Sequence, residues 1–433
     1  MFKASAAQVD LNPPIGSWMT GFAARIKPTT GVHDPIYAHA LLLDDGKTRL
    51  AIVACDLIGF TPAAIADMRH RIAKKSAIPS VNILITCTHT HSGPATMPFR
   101  GVMGHMDPDW FASAQHAIVD MVAALHNDLK PARMAHAMTA IPGIGFNRQD
   151  HTHAPDDALV VIGIDNAEDP AHAPIATLIN YATHPVILGP LNLQFSADYP
   201  GEIAKRITDK HGGVCLYLQG ACGDINPSVN REYSGGRGTY DDTHAVGESL
   251  ADAALLALQD APSTNEVMLR VSSKMLEIPL DAPPTLEALA ALTAGFEADR
   301  QKALADDDSM NEQIALAMLE WAHELEQAIA AGTVQQVLPS ELFVAAINEV
   351  RLIGVPFEPY SDIGRQIRSN LKPLQVMFAG YANGLYGYCP TAWAKDQGGY
   401  GPVTSCRWFP RMLTPVGYGA AELIVKESTV LGK

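Results

Sequence analysis

The chain has 433 residues, 47% of them hydrophobic, with 46 acidic against 31 basic side chains and a net charge of −15. That is ample for a large buried core, and the acidic balance excludes the basic face that binding to a phosphate backbone requires, so no nucleic-acid partner is expected. No run reaches the roughly 18 uninterrupted apolar residues of a membrane-spanning helix, and the first sixteen residues show no leader pattern. A soluble cytoplasmic protein is expected, with its six cysteines reduced and structural, since none forms a Cys-x-x-Cys pair.

In chain order, Ala38–Leu43 and Arg49–Asp56 predict two strands around the turn Asp44-Asp45-Gly46. Pro62–Lys75 predicts a helix and Val81–Thr86 a strand, and Pro108–Leu129 carries apolar residues at helical spacing. Strands follow at Ala158–Ile164, Ile175–Tyr181 and Val214–Gln219, with helices at Pro200–His211 and Asp241–Asp260. A further strand is expected over 267–280. Residues 285–332, rich in Ala, Leu, Glu and Gln and broken by DDDSMN, predict a helical hairpin with a solvated charged face. One strand signal runs over Leu342–Val355 and another over Leu374–Ala379, with the helix Tyr360–Leu371 between them. Tyr386–Tyr418 is expected to be mostly loop. The alternation predicts an α/β fold, with mixed sheets flanked by helices and the hairpin as an insertion.

Five stretches carry candidate chemistry. In ITCTHTHSGP, His89 and His91 leave a strand two residues apart, so both imidazoles can face one point; they are half of a zinc site or a coincidence of a chain with 16 histidines. In NYATHP, His184 stands at another strand end before a proline, as a ligand or a satisfied core histidine. In QGACGDINP, Gly220 and Gly223 allow close backbone approach, and Asp224 either holds a ligand histidine or closes the turn. In VPFEPYS, Glu358 offers an anionic ligand, with Glu349 as the alternative inside the strand. In YANGLYGYCP, Tyr381, Tyr386 and Tyr388 are packing residues or phenols near a metal. All five stretches sit at the C-terminal ends of predicted strands, where α/β folds place their sites.

Taken in that order, THTHSGP, THP, CGDINP, the Val-Pro-x-Glu segment and the tyrosine loop resemble the catalytic domain of neutral/alkaline ceramidases, over about residues 5–410. GVHDPIYAHALLLDDG and AIVACDLIG are similar to the family's early strands. The resemblance implies a zinc-dependent amidase acting on a lipid amide or a smaller amide. It implies His89, His184 and Glu358 as zinc ligands and Tyr388 as the last ligand, with Tyr386 as the alternative. His91 is then the proton-transfer partner. Arg148, in GIGFNRQD, holds the substrate carbonyl with Asn147 beside it. Gly223, Asp224 and Asn226 belong to the loop that usually reads Gly-Asp-Val-Ser-Pro, so Asn226 stands where the family has a serine. Asp224 is grouped with His91, Arg148 and Tyr388 as catalytic; Asn147, Gly223 and Asn226 are grouped as substrate-binding. One catalytic domain over 1–433 is expected, without a leader or the family's C-terminal immunoglobulin-like domain. Zinc esterases and lactonases, TIM-barrel amidohydrolases and a non-catalytic metal-containing binding protein are the competing readings. Met97, Phe99, Met103, Met106, Trp110 and Phe111 line an acyl-chain entrance or pack in the core.

Overall fold

The structure, a computed structural model, describes residues 1–101, 103–231 and 237–433. The first sheet contains β1 (Lys3–Asp10), β2 (Tyr37–Asp44), β3 (Arg49–Cys55), β4 (Ile83–Cys87), β5 (Lys130–Ala140), β6 (Ala158–Asn166), β7 (Pro174–Tyr181) and β8 (Val214–Gln219). Its order is β8-β7-β6-β5-β1-β2-β3-β4, and the two-residue strand Ser263–Thr264 adds to β5 as the ninth. The second sheet contains β9 (Leu269–Pro279), β10 (Val337–Ile347), β11 (Val350–Gly354) and β12 (Gln375–Ala379), in that order. The pairs β3/β4, β7/β8 and β11/β12 are parallel.

Strand β3 shows why the sheets stack. Its residues are buried on both faces, which removes the usual polar alternation. Leu50, Ile52 and Ala54 join an inner core with Leu178, Leu218, Leu352 and Met377. Ala51, Val53 and Cys55 face the other way, onto Ile65, Met68, Ile118 and Val122 of the covering helices α1 (Pro62–Lys75) and α2 (Pro108–Ala124). The long sheet curls until its edge strand β8 meets β2, β3 and β4, and the second sheet packs across the concave face. Helices α3 (Tyr199–Lys210) and α4 (Tyr240–Gln259) cover β6–β8, with Ile203, Ile207 and Leu250 against Ile179 and Tyr217. Two antiparallel helices, α5 (Leu286–Ala305) and α6 (Ser309–Ala331), form the hairpin, and α7 (Ser361–Asn370) and α8 (Ala420–Gly432) cover the second sheet. The helices begin where local chemistry allows. Thr61 accepts the Ala64 N–H ahead of Pro62, and Thr239 and Asp242 form a capping box.

The mixed α/β architecture matches the expectation, and several elements differ in detail. The Leu342–Val355 signal is two antiparallel strands, because Asn348 turns at φ 49° and reverses the chain. Glu349 therefore lies on an exposed turn, 3.8 Å from His136, while Arg351 bonds the carbonyls of Asn348 and Gly432. Strands β1 and β5 and helix α8 carried no recognised signal. Among the described residues, no helix is long and apolar enough to cross a membrane.

Candidate metal centre and active site

The curl brings the C-terminal ends of β4, β7 and β8 together, and the second sheet is stitched to them there. Gly380 N–H donates to Gln219, Asn383 N–H donates to Ile85, and Asn180 bonds both Leu218 and Phe378. Beyond β4, His89 turns into the left-handed region at φ 67°, a conformation that costs a β-carbon residue energy and clusters at functional sites. Its Nδ1 lies 2.6 Å from the Ile58 carbonyl, and Tyr381, also at positive φ, stacks on its ring at 4.1 Å. Beyond β7, the Nδ1 of His184 lies 2.6 Å from the Cys222 carbonyl. When both Nδ1 atoms donate to these carbonyls, each Nε2 keeps a free lone pair.

Those lone pairs converge on a carboxylate. The two-residue strand Glu358–Pro359 pairs in parallel with Tyr388–Cys389. This places Glu358 Oε2 3.4 Å from His89 Nε2 and 3.3 Å from His184 Nε2. His184 Nε2 and Glu358 Oε2 are buried and have no hydrogen-bond partner. Burial alone would raise the Glu358 carboxyl, but His89 and His184 outweigh it and hold it well below the usual range. Burial, with Arg148 nearby, lowers His184 to about 4. Neutral imidazoles and an ionised carboxylate are the states in which such groups bind a metal. The orphaned atoms and the nitrogen–oxygen donor set fit a divalent ion such as zinc.

His91 is the third member of a close group; one ring nitrogen each from His89, His91 and His184 lie within 4.8 Å of one another. Its Nε2 is 3.2 Å from His89 Nε2. It differs from the other two in its support. Its Nδ1 has no partner, and the ring leans on Phe22 and the open face of Gly21, where a β-carbon would meet Nδ1 at 2.5 Å. Arg25, fully buried, bonds the His91 carbonyl at 2.6 Å and not its ring, and also donates to the carbonyls of Thr20, Gly189 and Asn192. Burial, with His89 and His184 beside it, keeps this imidazole well below its ordinary pKa.

Arg148 forms the opposite wall. Its Nη2 donates to Tyr388 Oη at 2.8 Å and to the Gly223 carbonyl at 2.7 Å, and Nη1 reaches Asn226 Oδ1 at 3.5 Å. The short antiparallel pairing of Gly145–Asn147 with Ile225–Pro227 positions it. Asp224 lies behind this wall. Its carboxylate accepts from Asn147 Nδ2 at 2.7 Å and from the backbone and hydroxyl of Ser361. Burial raises its pKa to about 6 against those Ser361 bonds. Asn147 also accepts the N–H groups of Gln149 and Asp150. Thus Asp224 binds Asn147 and the start of α7, and no imidazole bonds Asp224 among the described residues. Gly223 must be glycine, since a β-carbon there would lie 2.6 Å from the Glu358 carbonyl oxygen.

Of the two tyrosines, Tyr388 is the cross-strand neighbour of Glu358, whereas Tyr386 bonds the Pro339 carbonyl. Met97 and Met103 are buried, and Phe99, Trp110 and Phe111 pack against the main core; Met106 is partly exposed. Sequence reasoning missed Tyr400, whose ring lies 5.7 Å from that of Tyr388 and within electrostatic reach of Glu358 and Arg148. It also passed over Cys222, whose Sγ lies 3.1 Å from Tyr381 Oη. The left-handed turns at His89 and Tyr381 had no sequence signal, whereas Asn383, in an Asn-Gly pair, is of the residue type that adopts this region most readily.

The site can now be compared with known proteins. The sequence matches the family described as neutral/alkaline non-lysosomal ceramidase, N-terminal, over residues 5–239, more than half of the chain. It is 24% identical to a neutral ceramidase of Pseudomonas aeruginosa over 465 aligned positions, covering 90% of this chain and 68% of that protein. A neutral ceramidase of Mycobacterium tuberculosis is 24% identical over 245 positions, covering 49% of this chain and 38% of the relative. The crystal structure of the neutral ceramidase from P. aeruginosa superposes with a TM-score of 0.70 at 18% identity, covering 100% of this chain and 74% of that one. A structure of a ceramidase complexed with C2 superposes equally well, at 17% identity. The chain belongs to the neutral/alkaline ceramidase family.

Proposed function

We propose that this chain is a zinc-dependent amidohydrolase that cleaves N-acyl amides, ceramide-like lipid amides among them. The observation that carries the reading is the buried convergence of His89 Nε2, His184 Nε2 and Glu358 Oε2, the last two without a hydrogen-bond partner. These three groups, with Tyr388 beside Glu358, would hold the ion. Zinc bound there supplies water of lowered pKa and polarises the amide carbonyl.

The protein's own groups do the rest. His89 and His184 are oriented through Nδ1 by backbone carbonyls, the support that metal-ligating histidines usually have. His91 lacks such an anchor, and its neutral, part-buried ring suits it to accept the proton from water and return it to the leaving amine. Arg148 and Tyr388, joined at 2.8 Å, present donors to the carbonyl oxygen as negative charge develops on it. Asp224 and Asn147 set the position of Arg148, and Asn226 and Gly223 share its guanidinium. The shared inner core of both sheets supports one catalytic domain over 1–433.

Metal analysis and hydrolysis of N-acyl amides, with and without chelator, test the reading. One equivalent of zinc and chelator-sensitive amide cleavage are expected, and both are lost in His89→Ala with His184→Ala. Full zinc content in that double variant, or cleavage of esters and lactones but no amide, would refute it.

A further inference from the structure

The ring of His91 has no polar partner at Nδ1, so its place is set by what holds its backbone and by what packs on its faces. Both come from residues 19–25, Met-Thr-Gly-Phe-Ala-Ala-Arg, a stretch that carried no recognised signal in the sequence. Met19 forms an antiparallel bridge to Pro94, and the Thr20 N–H donates to Gly93, which lays this segment along the turn after His91. Gly21 then passes the imidazole at φ 101°, and the Phe22 ring leans on it at 4.9 Å. A turn closed by the Arg25 N–H on the Phe22 carbonyl brings the guanidinium back to the same place, 5.0 Å over the Phe22 ring.

A guanidinium carries five N–H donors in one rigid plane. Four hydrogen bonds from that of Arg25 end on backbone carbonyls, those of Thr20 at 3.1 Å, His91 at 2.6 Å, Gly189 at 3.2 Å and Asn192 at 3.0 Å. Three separate stretches of chain therefore meet on one side chain: the N-terminal cradle, the HTH turn and the loop after His184. That loop closes on itself through the Asn192 N–H and Gly189, and Asn192 Nδ2 adds a bond to the Ser92 hydroxyl. No carboxylate pairs with Arg25 among the described residues, and burial lowers its pKa to about 9. Burying a charge without a counter-ion is costly. What it supplies here is a fork of donors that fixes three backbone segments relative to one another.

We propose that Arg25 is a positioning residue for the hydrolytic reaction, holding the His91 carbonyl and the Phe22 ring together so that His91 Nε2 stays beside His89 Nε2, at 3.2 Å. The inference rests on the amidohydrolase reading above, in which His91 carries the proton. Arg25 acts through His91 and bonds none of the groups that would hold the ion. Its effect on rate follows from the steepness of proton transfer with geometry, since a misplacement near 1 Å costs ~10²-fold.

The test uses the zinc-loaded full chain and steady-state hydrolysis of one N-acyl amide. Arg25→Met should lower kcat ~10²-fold with KM within about threefold and zinc content unchanged. Arg25→Lys keeps the charge but offers a point donor to four carbonyls, and should stay at least ~10-fold down. In a His91→Ala background Arg25→Met should add no further loss, because residues that act as a unit are non-additive. Arg351→Met is the matched control: Arg351 is also buried and also ends on backbone carbonyls, but in the second sheet, so its loss should lower the melting temperature and spare kcat. Full kcat in Arg25→Lys, or the same fractional loss in the His91→Ala and unmodified backgrounds, would overturn the proposal. Should Arg25→Met not fold, Arg25→Lys carries the same comparisons. Magnetic resonance of chain labelled at histidine Cε1, at one fixed pH, reads the geometry apart from turnover. The His91 signal should move in both Arg25 variants while that of His184 stays. With that shift present and no amide cleaved by the unmodified chain, only the hydrolase reading falls; with the His91 signal unmoved, or His184 moving equally, the positioning role falls.

Discussion

Gly223→Ala tests the geometry of the site from behind. The added β-carbon would stand 2.6 Å from the Glu358 carbonyl oxygen, 3.0 Å from that of Pro359 and 3.0 Å from the Tyr360 ring. The first contact is about 0.8 Å short of ordinary van der Waals distance, and its partner is backbone, which cannot rotate aside. Relief therefore moves the Glu358–Pro359 strand, which the Gly223 N–H also holds through Pro359 at 2.8 Å. Overpacking of this kind costs ~1–3 kcal/mol of stability. A displacement approaching 1 Å at a catalytic group costs ~10²-fold in rate. The variant should thus melt lower, bind zinc more weakly through Glu358, and lose ~10²-fold in kcat with a smaller change in KM. Thermal melts, chelator competition and steady-state kinetics on one N-acyl amide measure the three effects. Gly295→Ala is the control, since its β-carbon meets nothing within 4 Å and it lies in α5. Unchanged kcat and zinc affinity in Gly223→Ala would refute the claim that this loop sets the position of Glu358.

Two further outcomes follow from buried groups around the site. Asp198, the cap of α3, is raised to about 7, chiefly by burial and further by Asp34, against the N–H bonds of Leu188 and Tyr199. The folded chain then keeps a proton that the unfolded chain releases above pH ~4, so this group's contribution is full below pH ~4 and is lost as pH rises towards 7. Asp198→Asn should remove that slope from the melting profile, an effect on the order of 4 kcal/mol across the window; an unaltered slope would assign it to other groups. Tyr381→Leu should weaken zinc ~10–100-fold by removing the ring stacked on His89, whereas Tyr381→Phe, which keeps the stack and loses only the contact to Cys222, should weaken it far less. Equal chelator competition by the two variants would sink that role.

Much of this protein was legible in its sequence. Proline and threonine signals bound α1 at Pro62–Lys75, and the Val214–Gln219 strand lies where its apolar run predicted it. Local patterns sufficed there because caps and fully buried strands are determined by neighbours in the chain. His89, His184, Glu358 and Tyr388 could be named because each follows an apolar strand, and the ordered motifs pointed to one family. Strands β1 and β5 escaped notice because their exposed and buried residues mix, with the burial set by partners far along the chain.

The resemblance already separated the roles of His89 and His91; how each side chain is held needed the tertiary structure. HTH reads as a symmetric pair, yet only His89 has its Nδ1 beside a backbone carbonyl, that of Ile58, thirty-one residues away. Asp224 reads as a catalytic-group residue that holds a ligand histidine or closes the turn, but its oxygens are engaged by Asn147 and Ser361, which arrive from other elements. The hairpin reads as a charged surface, and α5 is buried only at Leu289 and Ala303, but its contacts with Arg100 and Arg407 come from segments far along the chain that no local pattern shows. Sequence periodicity records which residues are apolar and where strands end. Which lone pair, ring face or helix face meets which partner is decided by contacts between distant segments, and local patterning carries no signal for those.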